Sequence, residues 1–210
     1  MTIQNTAIRK SAMTLFSGPN CIYSHCCRFV LQEKGVEYEL AYISKDSDPA
    51  ELGELNPYGE TPTLLDRDLV LYEVPTIIEY LDERFPHPPL MPVDPISRAK
   101  TRLMIARLKR DWMQPISEAE QAAGKAADKV LAKSMHDGLL ALSPLFAEQP
   151  FLLGDDFTLV DGFMAPLLWR LPALDVKLPK QAKPLLDYAE RLFARQSFQE
   201  SLSPREQDIR

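Results

Sequence analysis

The three cysteines, Cys21, Cys26 and Cys27, are the residues of this sequence best suited to chemistry. Cys21 lies between the first predicted strand and the first predicted helix, and because the positive end of a helix stabilises a thiolate, Cys21 is a candidate nucleophile. No second cysteine completes a Cys-x-x-Cys pair with it. Cys26 and Cys27 fall inside the predicted helix, where buried thiols usually pack as small hydrophobic groups. Together with His25, the cysteines are spaced too tightly for a tetrahedral site, and we therefore expect no bound metal.

A proline-rich stretch carries the second group able to do chemistry, the imidazole of His87. Four prolines fall within the nine residues 84–92, and because proline fixes φ and lacks an N–H, the stretch should be a stiff, extended surface connector. Catalysis by His87 is not predicted, since no serine, cysteine or carboxylate stands beside it as a triad partner. Either the imidazole ties the connector to a domain through a hydrogen bond, or the rigid stretch is a recognition surface that binds at low entropic cost. That surface would consist of Pro86, His87, Pro88 and Pro89.

The elements before the proline-rich stretch alternate between short apolar runs and helical patterns. Residues 24–34 have the apolar spacing of a helix, and Gly35 is suited to end it. The other predicted elements are strands over 13–16 and 38–43, a short helix opening at Asp48 and Pro49, a hairpin of 63–65 and 69–72, and a helix with an apolar stripe at Val74, Ile77, Ile78 and Leu81. The order βαβ, short helix and ββα predicts a thioredoxin-like domain.

The sequence after residue 96 shows only helical periodicity. Met104, Leu108 and Trp112 recur every four residues and mark the beginning of a long helix. Residues 126–142 continue the composition rich in alanine, leucine and lysine that is typical of helices. We therefore predict that the second part of the chain is entirely α-helical.

A later helix carries two further signals and completes the domain prediction. Thr158 and Asp161 have the spacing of a capping box, in which each side chain can satisfy an unpaired N–H at a helix start. Pro166 inside that helix should kink it. The predicted organisation is an α/β thioredoxin-like domain over 1–85, a proline-rich linker over 86–96 and an all-α domain over 97–210.

Charge is distributed unevenly along this chain, whose net charge is −6. Residues 1–90 carry 7 basic and 14 acidic side chains, so this half should repel phosphate backbones, and we expect no direct nucleic-acid binding. A run without any acidic residue follows the linker and forms either a solvated helix face or a contact surface. This basic run contains Arg98, Lys100, Arg102, Arg107, Lys109 and Arg110.

Composition indicates an ordinary globular chain of 210 residues, of which 45% are hydrophobic, enough to bury a sizeable core. No apolar stretch has the length of a membrane segment or of a secretory signal, and we expect no membrane association. The clustered cysteines do not form a disulfide framework, because adjacent cysteines rarely bond to each other. Reduced thiols fit the cytoplasm, which is the expected location.

The two predicted domains, the linker and the capping box together resemble the glutathione transferase superfamily over essentially the whole chain. In that superfamily a cis-proline, which Pro62 after Thr61 resembles and which we therefore expect in the cis form here, frees the preceding backbone to pair with glutathione, and an acidic residue followed by serine holds the γ-glutamyl end. Here Glu73 is followed by Val74, and losing the serine hydrogen bond, about 1.5–3 kcal/mol, should weaken binding roughly ten- to a hundredfold. Alternatively, the cis-proline element only shapes its loop and Val74 packs into the helix stripe. The resemblance implies a vestigial glutathione pocket of Cys21, Thr61, Pro62, Glu73 and Val74.

Three further segments resemble one branch of the superfamily, the bacterial stringent starvation proteins. These segments are residues 80–92, Asp111-Trp112 and residues 165–172. The resemblance implies an RNA polymerase-associated regulator of transcription in starvation and stress, which keeps the transferase fold and generally lacks transferase activity. It also implies a homodimer that pairs the N-terminal domain of one subunit with the helical domain of the other. The acidic first half and the basic run could steer that pairing.

Two functions of different classes therefore stay open. The first is a non-catalytic transcription-complex subunit that uses the proline-rich stretch to bind RNA polymerase and needs no cofactor. The second is a glutathione-dependent transferase or thiol reductase that uses Cys21 and binds glutathione weakly. Val74 favours the first function, whereas Cys21 favours the second.

Overall fold

The computed structural model of this protein describes residues 12–43, 50–121 and 129–210. The first part contains a four-stranded sheet of β1 (Thr14–Ser17), β2 (Glu39–Tyr42), β3 (Thr63–Asp66) and β4 (Leu69–Tyr72), in the order β2-β1-β3-β4. β1 runs parallel to β2 and antiparallel to β3, and β3 and β4 form the predicted hairpin. The helices of this part are α1 (Ile22–Glu33), α2 (Ala50–Leu55) and α3 (Val74–Arg84). The thioredoxin-like prediction is confirmed, while the predicted helix start at Asp48 and Pro49 lies outside the described residues.

α1 is the central helix of the molecule. It begins at Ile22, two residues earlier than the predicted start at Ser24, because the Sγ atom of Cys21 caps it by accepting the N–H of Ser24 at 3.5 Å. It ends before Gly35, whose φ of +60° suits glycine. Every side chain from residue 24 to residue 31 is buried, because α1 packs against α3 on one side and against the helical part on the other.

The second part is helical, as predicted. Its helices are α4 (Pro95–Leu108), α5 (Gln114–Gln121), α6 (Lys129–Leu142), α7 (Leu145–Glu148), α8 (Leu159–Trp169), α9 (Lys183–Phe193), α10 (Gln196–Ser201) and α11 (Pro204–Gln207). Among the described residues beyond 96, β pairing is limited to one isolated bridge between Phe151 and Gly154. The predicted helix over 126–142 corresponds to α6, and residues 126–128 are outside the described ranges.

The first long helix begins earlier than predicted. It begins at Pro95 rather than near Met104, because the Asp94 side chain accepts a backbone N–H of the first turn and caps the helix. A π-helical turn, Lys109–Met113, joins α4 to α5. Trp112 lies on this turn and is buried, and its ring packs so closely on Gly138 that an added Cβ there would lie 2.5 Å from it.

The predicted capping box of α8 is present and connects three elements. The Asp161 carboxylate accepts the N–H of Thr158 at 2.8 Å, the N–H of Leu152 at 3.0 Å and the hydroxyl of Tyr188 at 2.7 Å. Burial raises the pKa of Asp161, and these hydrogen bonds to its charged form oppose the rise. Pro166 lies inside α8, and the kink expected there stays a prediction.

One apolar core extends from the thioredoxin-like part into the helical part. A smaller cluster of Phe16, Leu52 and Leu65 lies against α2. Because the main core is shared, the proposed division at residues 85 and 96 stays a prediction. None of the described helices is long and apolar enough to cross a membrane.

A buried network of charges crosses the boundary between the two parts. The Glu206 carboxylate, on α11, forms ion pairs with Arg28 of α1 and with Arg170 at the end of α8. The Trp169 indole also donates to the backbone oxygen of Glu206 at 2.8 Å. All three charged side chains are almost completely buried, so each charge depends on the others for compensation.

His25 lies beside this network and is neutral chiefly because it is buried. Arg170 can only donate, so the 3.2 Å contact between its Nη1 and the His25 Nδ1 favours an unprotonated Nδ1 over a hydrogen bond to the Glu206 Oε1, which lies 3.5 Å away. The other ring nitrogen, Nε2, then donates to the Ser201 hydroxyl at 3.0 Å. Burial, followed by the charges of Arg170 and Arg28, lowers the pKa of His25 well below 6.5.

We expect the free energy of unfolding to fall as the pH is lowered from 7 to 5, partly because of His25. The unfolded chain binds a proton near pH 6.5 and the folded chain does not, so acid favours unfolding by about 2 kcal/mol over this range. Urea denaturation at both pH values should show a smaller loss in His25→Gln than in wild type. His136→Gln, at a partly exposed position, is the control, and equal losses in all three proteins would contradict the neutral His25.

Candidate functional site

Cys21 lies where the loop after β1 enters α1, close to the cis-proline loop. Its thiol donates to the backbone oxygen of Thr61 at 3.7 Å, and the Thr61–Pro62 peptide bond is cis, as predicted. Gly18 allows this approach, because a Cβ added there would lie 2.7 Å from the Cys21 Cβ and 2.9 Å from the Thr61 hydroxyl. The structure therefore brings Cys21, Thr61 and Pro62 together, with the thiol half-buried.

The remaining two residues of the predicted glutathione pocket, Glu73 and Val74, interact with other residues of the chain. Glu73 has a φ of +71° and precedes α3, and its carboxylate forms an ion pair with Lys109 on the π-helical turn. Val74 is buried in the core, as the packing alternative expected. A γ-glutamyl group would therefore compete with Lys109 for Glu73 and would find no hydroxyl at position 74.

Glu120 of α5 is a site residue that sequence reasoning missed. One of its carboxylate oxygens accepts the N–H of Ile22 at 3.4 Å, in the first turn of α1, and the other accepts the Arg170 Nε at 2.7 Å. Burial raises the pKa of Glu120, and the neighbouring Arg170 charge opposes that rise. The Glu120 carboxylate thus already accepts the N–H of Ile22, a group at a helix N-terminus that could otherwise stabilise the thiolate of a bound glutathione. No sequence signal reveals this contact, because Ile22 and Glu120 are 98 positions apart.

The other two cysteines are structural. Cys26 and Cys27 are fully buried, and burial raises the pKa of both thiols. Within the described residues, no group of three or more histidine, cysteine, aspartate or glutamate side chains could hold a metal ion.

The proline-rich stretch is the second candidate site. Residues 86–89 are exposed, whereas Leu90 and Met91 directly after them are buried. The peptide bond between His87 and Pro88 is cis, which was not predicted. Across the described chain, the His87 imidazole has no hydrogen-bond partner, so no described residue forms the proposed hydrogen bond to a domain.

Two surface cavities border the stretch. One of about 570 Å³ includes Pro86 and His87 in its wall, with Arg67 and Arg84 nearby. The other, of about 940 Å³, is lined by the residues from Pro88 to Val93 and by parts of the helical domain. Their walls do not include Cys21 among the described residues, so the thiol and the proline-rich stretch are separate candidate sites.

The basic run divides into two groups. Arg98, Arg102 and Lys109 form ion pairs with three carboxylates at the start of or along α3, namely Glu83, Glu79 and Glu73. The remaining cations, Lys100, Arg107 and Arg110, have no ion-pair partner in the part of the chain that the structure describes. Half of the run thus holds α4 and the π-helical turn against α3, and the other half is free to contact a partner.

Comparison with known proteins identifies the family. The family described as "Glutathione S-transferase, N-terminal domain" matches residues 15–89, and "Glutathione S-transferase, C-terminal domain" matches residues 106–197. A delta-class glutathione transferase of Nilaparvata lugens has a similar fold, with a TM-score of 0.81 at 22% identity over 94% of this chain and 96% of that one.

Two named relatives place the chain more finely within the superfamily. The stringent starvation protein A homologue of Coxiella burnetii is 46% identical over 207 residues, which cover 97% of each chain. The maleylacetoacetate isomerase of Pseudomonas aeruginosa is 31% identical over 181 residues, 79% of this chain and 84% of that enzyme. The higher identity and the fuller coverage belong to the first relative. This chain therefore belongs to the glutathione transferase superfamily and, within it, to the stringent starvation protein A family.

Proposed function

We propose that this protein is an RNA polymerase-associated regulator of transcription in starvation and stress, without appreciable transferase activity. The observation that carries the proposal is the exposed proline-rich surface, Pro86 to Pro89, on which the His87 imidazole has no hydrogen-bond partner within the described chain. Prolines present apolar area with few conformations to lose, and the free imidazole supplies one directional hydrogen bond. These are properties of a recognition surface, and membership of the stringent starvation protein A family supports polymerase as the partner.

Three features of the pocket argue against a glutathione-dependent reaction. Glu73 is engaged by Lys109, Val74 offers no hydroxyl, and Glu120 occupies an N–H at the start of α1. Each removes or weakens one interaction that glutathione would need. The half-buried thiol of Cys21 at the cap of α1 favours the second candidate, a glutathione-dependent transferase or thiol reductase, and this function is kept as the alternative.

We further propose that the protein is a homodimer in the cytoplasm. The first part exposes Tyr58, Leu69 and Tyr72, and α4 exposes Ile96 and Leu103, which are seven residues apart and share a helix face. Arg110 is exposed on the π-helical turn that follows α4, and it is one of the basic-run cations without an ion-pair partner in the described chain. Apolar area bordered by free cations suits the acidic first part of a second subunit. The three free cysteines fit a reducing compartment.

We expect glutathione to bind about ten- to a hundredfold more weakly than it binds to an active glutathione transferase measured alongside. The reason is the loss of the serine hydroxyl at position 74 and the engagement of Glu73 by Lys109. Isothermal calorimetry measures the affinity, and conjugation of a general electrophile measures turnover. A low-micromolar dissociation constant, with turnover abolished by Cys21→Ser and kept by Cys27→Ser, would establish the alternative function instead.

The polymerase contact should depend on the proline-rich surface. We expect the triple variant Pro86→Ala, His87→Ala, Pro88→Ala to melt within a few degrees of wild type, because exposed connectors contribute little to a core. Its co-purification with RNA polymerase from a lysate should be lost. Pro172→Ala, at an exposed proline elsewhere, is the control and should bind normally. Undiminished binding by the triple variant would show that the contact surface lies elsewhere.

The dimer should dissociate when charge is introduced on the exposed face of α4. We expect sedimentation at micromolar concentration to show dimers of wild type and monomers of Leu103→Glu. Leu186→Glu, at an exposed leucine of α9, should stay dimeric. A wild-type protein that is only monomeric would refute the dimer, and an affinity that high salt leaves unchanged would refute the electrostatic contribution.

A further inference from the structure

The backbone of the proline-rich surface can form few hydrogen bonds with other backbone groups. Prolines lack an N–H, and the described residues from 86 to 92 pair with no strand, so the remaining polar groups must be satisfied by side chains or water. Two side chains meet this need. The Lys34 ammonium donates to the backbone oxygen of Pro88, and the Asp82 carboxylate accepts the N–H of Leu90 at 2.8 Å and of Met91 at 3.2 Å.

Lys34 and Asp82 also pair with each other, at 2.5 Å, from different helices. Lys34 caps the C-terminal end of α1, and Asp82 lies on α3. Their side chains are 0% and 10% exposed, respectively, so the pair is buried directly beneath the exposed surface. A buried ion pair contributes little to stability compared with a well-packed apolar pair, because desolvation offsets most of the attraction. Lys34 and Asp82 form hydrogen bonds with the proline-rich stretch, and an apolar pair could not form them.

The stretch is fixed beyond this pair as well. The backbone oxygen of Leu90 accepts the N–H of Leu159 at 2.9 Å, at the start of α8. Leu90 and Met91 are buried, whereas the four residues before Leu90 face outward. The anchored residues are therefore immediate neighbours of the exposed ones, and their position decides how Pro86 and His87 are presented.

We propose that Lys34 and Asp82 are positioning residues that hold the surface from Pro86 to Pro89 in its binding conformation. The inference rests on the proposed function, because it assigns the two residues a role at the same polymerase-binding surface. Without them the stretch would sample more conformations before binding, and each residue ordered on binding lowers affinity. Neither residue needs to touch the partner for this effect.

The test replaces both charges at once, in Lys34→Met with Asp82→Leu, so that no buried charge is left unpaired. The fold should survive, while the affinity for purified RNA polymerase should fall by about tenfold or more. Amide hydrogen exchange at Leu90 and Met91, whose N–H groups lose their acceptor, should accelerate by about tenfold or more, whereas a purely structural role would leave the affinity of a stably folded variant unchanged. The matched control is Arg102→Gln with Glu79→Gln, a partly exposed pair that joins α4 to α3 and does not contact the stretch among the described residues. The control should behave as wild type in both measurements.

The outcomes separate this inference from the proposed function. Wild-type affinity in the double variant, or unchanged exchange at Leu90 and Met91, would overturn the positioning role. If wild-type protein itself does not bind polymerase, the proposed function fails, and unchanged exchange would still overturn the positioning role by itself. Should the double variant fail to fold, Lys34→Met with Asp82→Asn takes its place, since it keeps the shape of Asp82, leaves no buried charge unpaired and lets residue 82 accept through one oxygen only. Faster exchange with weaker binding in that variant supports the inference, and unchanged values for both overturn it.

Discussion

The ion pairs of Glu206 with Arg28 and Arg170 are the interaction on which the rest of this structure depends. Two guanidinium groups cannot remain in a core without a carboxylate, and removing one partner of such a buried set typically costs about 3–5 kcal/mol. The network joins the central helix of the thioredoxin-like part to the end of α8 and to α11. It also explains why α1 is buried on all sides although its sequence includes histidine and arginine.

The same network extends to the thiol site. Arg170 binds Glu206 with one nitrogen and Glu120 with another, and Glu120 in turn accepts an N–H beside Cys21. The region where a transferase would bind a thiolate is thus joined to the structural core of this protein. A glutathione transferase fold can therefore keep the loop around Pro62 and the cap of α1 while the polar groups beside them pair with one another and stabilise the core.

The sequence predicted those features that depend on neighbouring residues. The strands, the hairpin, the stripe of α3 and the capping box at Thr158 were all predictable, because periodicity and capping are local. Burial of Val74 also follows from its place in that stripe. The starts of α1 and α4 were misplaced because the N-caps at Cys21 and Asp94 lie outside the apolar pattern. Contacts between distant residues, such as Ile22 with Glu120, leave no local pattern and could not be predicted.

The contact between Arg28 and Glu206 joins residues 178 positions apart, and this has a consequence for synthesis. A ribosome adds about 5–20 residues per second, so Arg28 waits roughly ten to thirty-five seconds before its carboxylate partner has been made. During that time the strands of the first part can pair, but no Glu206 carboxylate is present to neutralise the Arg28 guanidinium on α1. The thioredoxin-like part of a nascent chain should therefore stay incompletely packed, with one face of α1 open to water or to a chaperone, until α11 emerges.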